Sequence, residues 1–283
     1  MLASLGAELL KLRKRPSTWV LALIWLAIIV LLNYTLTYVL LSNAPPLPEG
    51  TPTEQQEEFR QQQFQSLYPE NLVRVLIPGY PSVGTPIALI LGSLAVGSEY
   101  GWATLKTVLT QRPGRSAVFF GKLLALGVVL VLLVVLTFFV GAVSSFVVAG
   151  LANGSMTGPP AGELVRALGA GALILAIWAS LGALLATLLR STALAVGIGL
   201  IYSLVLETVI FNLPIQNDSF REAREFFPGQ NSSFLAGSFS EQAQTGVVPP
   251  TPVDAPQAAL VLLAYTATFI ALAAFVFRRR DVN

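Results

Sequence analysis

The chain contains no cysteine and no histidine. That removes disulfides, thiol nucleophiles, His-based triads, imidazole general bases and every Cys/His metal site. Charge is scarce as well: Asp, Glu, Lys and Arg make up 11% of the 283 residues, against about 25% in an ordinary soluble domain. So little charge cannot cover a water-facing surface, which leaves almost no room for a soluble globular enzyme. What is present in excess is apolar: 54% of residues are hydrophobic and the mean hydropathy is +0.70. The formal net charge of +2 is too small an excess to suggest a nucleic-acid partner.

A helix needs about 20 mostly apolar residues to cross the hydrocarbon core of a bilayer. Six stretches approach or exceed this length: 17–41, 83–98, 118–150, 163–189, 191–212 and 257–277. They are continuous rather than alternating, which argues against a β-barrel, and lipid requires a spanning backbone to pair within itself. The expected fold is an all-α integral membrane protein with six transmembrane helices in a single domain covering 1–283. The first stretch follows Lys11, Arg13, Lys14 and Arg15 as a signal peptide would. Its apolar run exceeds the roughly 7–15 residues of a signal core, so it reads as an uncleaved anchor.

With the N-terminus inside, 12 of the 17 Lys and Arg fall on the inner side. The positive-inside rule therefore puts both termini in the cytoplasm. Two outer segments result, 42–82 and 213–256, which hold 13 of the 18 prolines. Within the first, Thr53 to Phe64 suggests a short polar helix, with Thr53 as its cap and Glu57 and Glu58 near the positive dipole end. Pro69 to Ile77 suggests a second helix, broken by Pro78, Gly79 and Pro81. The second segment mixes five phenylalanines with turn residues and reads as an ordered cap. Trp19, Trp25, Tyr34 and Tyr38 in the first span read as packing and interfacial anchors.

Two inner segments are amphipathic. Leu2, Leu5, Leu9 and Leu12 recur at helical spacing over 1–16, with Ser4, Glu8, Lys11 and Arg15 on the other side. Such a helix lies in the membrane interface, its basic side toward lipid headgroups. Leu5, Leu9, Lys11, Leu12 and Arg15 are the membrane-surface candidates. In 99–116, Trp102, Leu105 and Leu109 share a helix face between Glu99 and Arg112. An apolar stripe bracketed by charge marks an interface with lipid or protein.

These residues together resemble the permease subunits of type-2 ATP-binding-cassette (ABC) exporters. Glu8-Leu9-Leu10-Lys11-Leu12-Arg13-Lys14-Arg15-Pro16 resembles their N-terminal elbow helix. Gly97 to Lys106, with Leu109-Thr110-Gln111 and Arg115 to Lys122, resembles their first cytoplasmic coupling segment, although Ala103 stands where the family often has Gly. Phe277-Arg278-Arg279-Arg280-Asp281 resembles their C-terminus. The resemblance covers the whole chain and is greatest to the short permeases of bacitracin-type antimicrobial-peptide export. It implies a multi-pass protein of the bacterial cytoplasmic membrane, two permease copies or similar permeases forming the pathway, and separate ATPase subunits beneath them. It assigns Glu99, Trp102, Leu105, Lys106, Leu109 and Arg112 to ATPase coupling. The chain itself lacks a phosphate loop, since Gly121-Lys122 is followed by Leu123 with no second Gly at the required spacing. No cofactor is expected in this chain; ATP and Mg belong to the partner. The expected cargo is amphipathic: drug-like, peptide or lipid-like.

Glu207 is a carboxylate inside the fifth apolar stretch, and an ionisable group in a span is a functional candidate by default. It lies about 8 Å from the outer end at 1.5 Å per residue, where a carboxylate reaching the interface is the plain reading and a substrate or gate contact the sharper one. Ala88/Gly92, Ala172/Ala176/Ser180 and Ala193/Gly197 are small residues four apart, suited to close helix packing within one subunit or between two. The rival function is a non-transporting immunity or sensor protein that sequesters a peptide with its outer loops. A membrane enzyme is weaker, because without His or Cys it would need carboxylates, and the outer acids Glu49, Glu54, Glu57 and Glu58 are scattered through polar sequence; an ion-coupled carrier is weaker, because the spans hold one ionisable group.

Overall fold

The computed structural model describes residues 2–43, 61–101, 115–207, 209, 222–240 and 253–279. Among these, every regular element is helical. α1 (Leu2–Lys14) is followed at once by α2 (Pro16–Ser42). Pro16 makes the break: it has no N–H to continue α1, its fixed φ suits a first helical turn, and it holds Arg15 in an extended conformation (φ −82°, ψ 120°). The chain continues with α3 (Pro69–Ser98), α4 (Arg115–Leu151), α5 (Ala161–Leu189), α6 (Thr192–Leu206), α7 (Pro228–Gly237) and α8 (Ala255–Arg279).

Five of these, α2, α3, α4, α5 and α8, are long and apolar enough to cross a membrane. The fifth expected span, 191–212, is described only in part: α6 is a shorter apolar helix that continues into Glu207. The expected helix from Thr53 lies mostly outside the described residues; 61–65 are helical.

The break expected at Pro78, Gly79 and Pro81 does not occur. The chain instead changes winding, from 3-10 (Pro69–Asn71) to α (Leu72–Leu76), 3-10 (Ile77–Gly79), π (Tyr80–Gly84) and α again (Thr85–Gly101). Each proline falls at the start of a new winding, where its missing N–H breaks no established ladder. The second span thereby begins fourteen residues earlier than its uncharged run.

α3 and α5 form the centre, with 56% and 67% of their most apolar stretches buried, against 17% for α2 and for α8. Their crossing is close because of glycine. A Cβ on Gly92 would fall on the Ala179 carbonyl oxygen, and one on Gly182 on that of Leu89. The small residues of the second span are thus used within the chain. α2 is tied in by Trp25, whose Nε1 donates to Thr137 Oγ1 at 2.6 Å; the Thr137 hydroxyl donates to Leu133 O at 2.7 Å. The Trp25 ring also packs edge-on against Tyr80, 5.2 Å between centroids. Tyr34 is buried, while Trp19 is exposed and donates to Arg13 O. Outward faces carry large apolar side chains, among them Leu23, Phe139 and Leu260, each more than 60% exposed. Such a surface suits lipid and not water.

The long helices alternate in direction. At one end Phe119 meets Phe277, 5.1 Å between ring centroids, and Gly97 abuts Thr192. At the other, Gly154 abuts Tyr68. The first end carries α1, Lys122, Arg190, Arg278 and Arg279 and is called the basic end; the other, with Arg74, Arg166 and Arg224, is the far end. The α5–α6 turn at the basic end is short. Arg190 takes a left-handed conformation (φ 52°), and Ser191 Oγ accepts from Leu194 N to cap α6.

Candidate functional site

At the basic end, α1 lies against α4. Gly121 permits the approach: a Cβ there would lie 2.5 Å from Ser4 Oγ. Next to it, Lys122 Nζ donates to Glu8 Oε1 at 2.8 Å, and Lys11 Nζ donates to the same oxygen at 3.0 Å. Glu8 and Lys122 are both buried. Arg15 Nη1 reaches Leu94 O on α3 at 3.1 Å. The face of α1 turned to the protein is therefore Ser4, Glu8, Leu12 and Arg15, while Leu10, Arg13 and Lys14 are exposed. This differs from the expected face. Glu8 and Arg15 point into the bundle and not outward to headgroups, because Lys122 and the Leu94 carbonyl offer them partners that an apolar span otherwise lacks. Leu5, Leu9 and Lys11 are half-buried and Leu12 is buried.

The coupling candidates divide. Glu99 lies in the last turn of the helix Thr85–Gly101. Trp102, Leu105, Lys106, Leu109 and Arg112 lie outside the described residues.

At the far end, Glu207 is only 4% exposed. Its carboxylate does not reach the outer surface, because α7 covers it. Glu207 Oε2 stands where a Cβ on Gly229 would be, so a larger residue there would displace the carboxylate. Gly229 is the second residue of α7 and follows Pro228, so its amide is one of the orphan donors of a helix N-terminus, a place that favours an anion. The N-cap, Phe227, supplies no side-chain hydrogen bond. Asn231 holds the entry to α7, Nδ2 donating to Glu225 O (2.7 Å) and Phe227 O (2.9 Å).

Beside this contact is a cavity of about 520 Å³ bounded by α3, α5, α6 and α7. Thr85, Trp178 and Glu207, all buried, are among the residues that line it. Reading the sequence singled out Glu207 but missed Thr85, Trp178 and α7. The only signal for α7 was Pro228, which starts helices as readily as it ends them; paired with Gly229 it reads as a turn. Among the described residues, no cluster of acidic side chains could hold a metal ion.

Long apolar helices, an outward apolar surface and, among the described residues, charge confined to the two ends define a multi-pass helical membrane protein. The comparison with known families makes this specific: the profile of the ABC-2 family transporter protein matches residues 4–206. The chain belongs to that family and is a membrane permease component of an ABC transporter. Members generally work with an ABC ATPase partner. No curated protein matches the chain.

Proposed function

We propose that the chain is the permease subunit of an exporter, moving an amphipathic, drug-like, peptide or lipid-like substrate out of a bacterial cell. The observation that carries this reading is the family match over residues 4–206. In this reading there are six spans, with α6 continuing beyond Leu206, and the basic end is cytoplasmic. The distribution of Lys and Arg between the two ends supports that orientation. α1 serves as the elbow; the Glu8–Lys122 ion pair fixes it to α4, and the hydrogen bond from Arg15 to the Leu94 carbonyl fixes its end to α3. Residues 99–116 pass the motion of a separate ATPase, which binds ATP and Mg, to α3 and α4, the two helices that flank them. A second permease copy or a similar permease completes the pathway. The match is at the level of the family, and antimicrobial-peptide export of the bacitracin type is part of the proposal.

The test acts on the coupling segment. Trp102→Ser with Leu105→Ser is expected to leave the protein inserted in the membrane and to abolish retention of the ATPase or its coupling to transport. Unchanged ATPase retention and unchanged ATP-driven export in that variant contradict the role given to 99–116.

A further inference from the structure

The cavity beside Glu207 is lined by three residues that each carry a buried polar atom with no hydrogen-bond partner: Glu207 Oε1, Trp178 Nε1 and Thr85 Oγ1. Their residues are 4%, 1% and 2% exposed. Unsatisfied polar groups are costly in an apolar surrounding, and a carboxylate is the costliest. The three residues that carry them, from three separate helices, line one space of about 520 Å³. The backbone around it is also irregular. Two of the π-wound stretches, Tyr80–Gly84 and Ile201–Leu206, contribute to its lining. Such windings recur at functional sites.

We propose that this cavity binds the cationic head of an amphipathic ligand, an alkylammonium or guanidinium group, with Glu207 as its counter-charge. An N–H donor bearing a positive charge makes the strongest hydrogen bond available to a carboxylate oxygen, and the Trp178 ring in the same lining attracts cations to its face. Thr85 Oγ1 offers a further acceptor, and Trp178 Nε1 a donor for an oxygen carried next to the cation. Arg224, on the segment that leads to α7, also lines the cavity and has interactions of its own; an anionic group near the ligand's cation would face it. The second oxygen of Glu207 meets α7 at Gly229, so one carboxylate serves both the cap and the ligand. This rests on the transport reading only for its biological meaning; the binding itself needs neither ATPase nor nucleotide.

The test uses the full chain in phosphatidylcholine nanodiscs without nucleotide, titrated with octylammonium, octanol and octanoate while tryptophan fluorescence is followed. Octylammonium should give a saturable change that is absent in Trp178→Phe, and octanol and octanoate should give none. Glu207→Gln should weaken octylammonium at least tenfold, and Thr85→Val should weaken it several-fold while leaving the Glu207–α7 contact in place. If Glu207→Gln fails to fold, the ligand series on the native chain still decides. Saturation by octanol or octanoate as tight as by octylammonium overturns the proposal, as does an unchanged affinity in a folded Glu207→Gln. Repeating the titration in phosphatidylethanolamine discs separates the sources of the cation. Competition there assigns the site to a lipid headgroup, and undiminished binding assigns it to a free amphiphile; both agree with a cation site. Failure of this binding leaves the ATPase partnership intact, and loss of the ATPase leaves the binding result standing.

Discussion

Lys122 can be replaced by Met, which preserves most of its volume and removes its charge. Glu8 then loses its 2.8 Å partner in a place where it is 7% exposed. Breaking a buried pair by removing one member costs about 3–5 kcal/mol, because the remaining charge stays buried. Here Lys11 still donates to the same oxygen at 3.0 Å, and it is one-third exposed. The expected loss for Lys122→Met is therefore lower, about 2–3 kcal/mol. Glu8→Gln leaves the Lys122 ammonium buried without its carboxylate and should cost about 3 kcal/mol or more. The double variant removes both charges and should return to within about 1 kcal/mol of the native chain. The assay is equilibrium unfolding in mixed detergent micelles followed by circular dichroism, read as a double-mutant cycle. A coupling energy of about 4 kcal/mol or more is expected. Two single variants as stable as the native chain, or two losses that simply add, refute the claim that this pair fastens α1 to α4.

Three further outcomes follow from the packing. Gly92→Val should destabilise the chain by about 1–3 kcal/mol or more, seen as a lower melting temperature in detergent, since its side chain would meet the Ala179 backbone. Thr137→Val removes the acceptor of the Trp25 indole and should cost about 1 kcal/mol by the same measurement, while Trp25→Phe combined with Thr137→Val should cost less than the two singles added together. Gly121→Leu should lift α1 off α4; with Leu12→Cys as the only thiol in a chain that has none of its own, labelling by a water-soluble maleimide should become faster.

The spans were legible because a run of some twenty uncharged residues has few alternatives. The residues that fix their arrangement were not. Lys122 reads as a lone charge marking the start of a span, and nothing local tells that it meets Glu8, 114 residues away. Glu8 reads as lipid-facing on α1 for the same reason: periodicity gives the faces of a helix but not which one finds a partner. Pro78 and Pro81 read as breaks because the usual penalty is written for an α-helical ladder, whereas α3 absorbs them in 3-10 and π turns. Glu207 reads as a carboxylate near the outer end from its position in the run. Its burial comes from α7, more than twenty residues later and hidden behind a Pro-Gly pair that spells a turn. Trp178 and Thr85 carry no signal of their own, since an aromatic and a hydroxyl in apolar helices are ordinary packing residues until a shared cavity sets them apart.

The central claim is that this chain spans the membrane for a transporter whose energy comes from another subunit. The most direct measurement is gentle purification of the tagged full chain from its native host, with quantitative mass spectrometry of what accompanies it. The account predicts an ATPase bearing a phosphate loop at near-equal amount. Repeated recovery of the folded chain with no ATPase contradicts it.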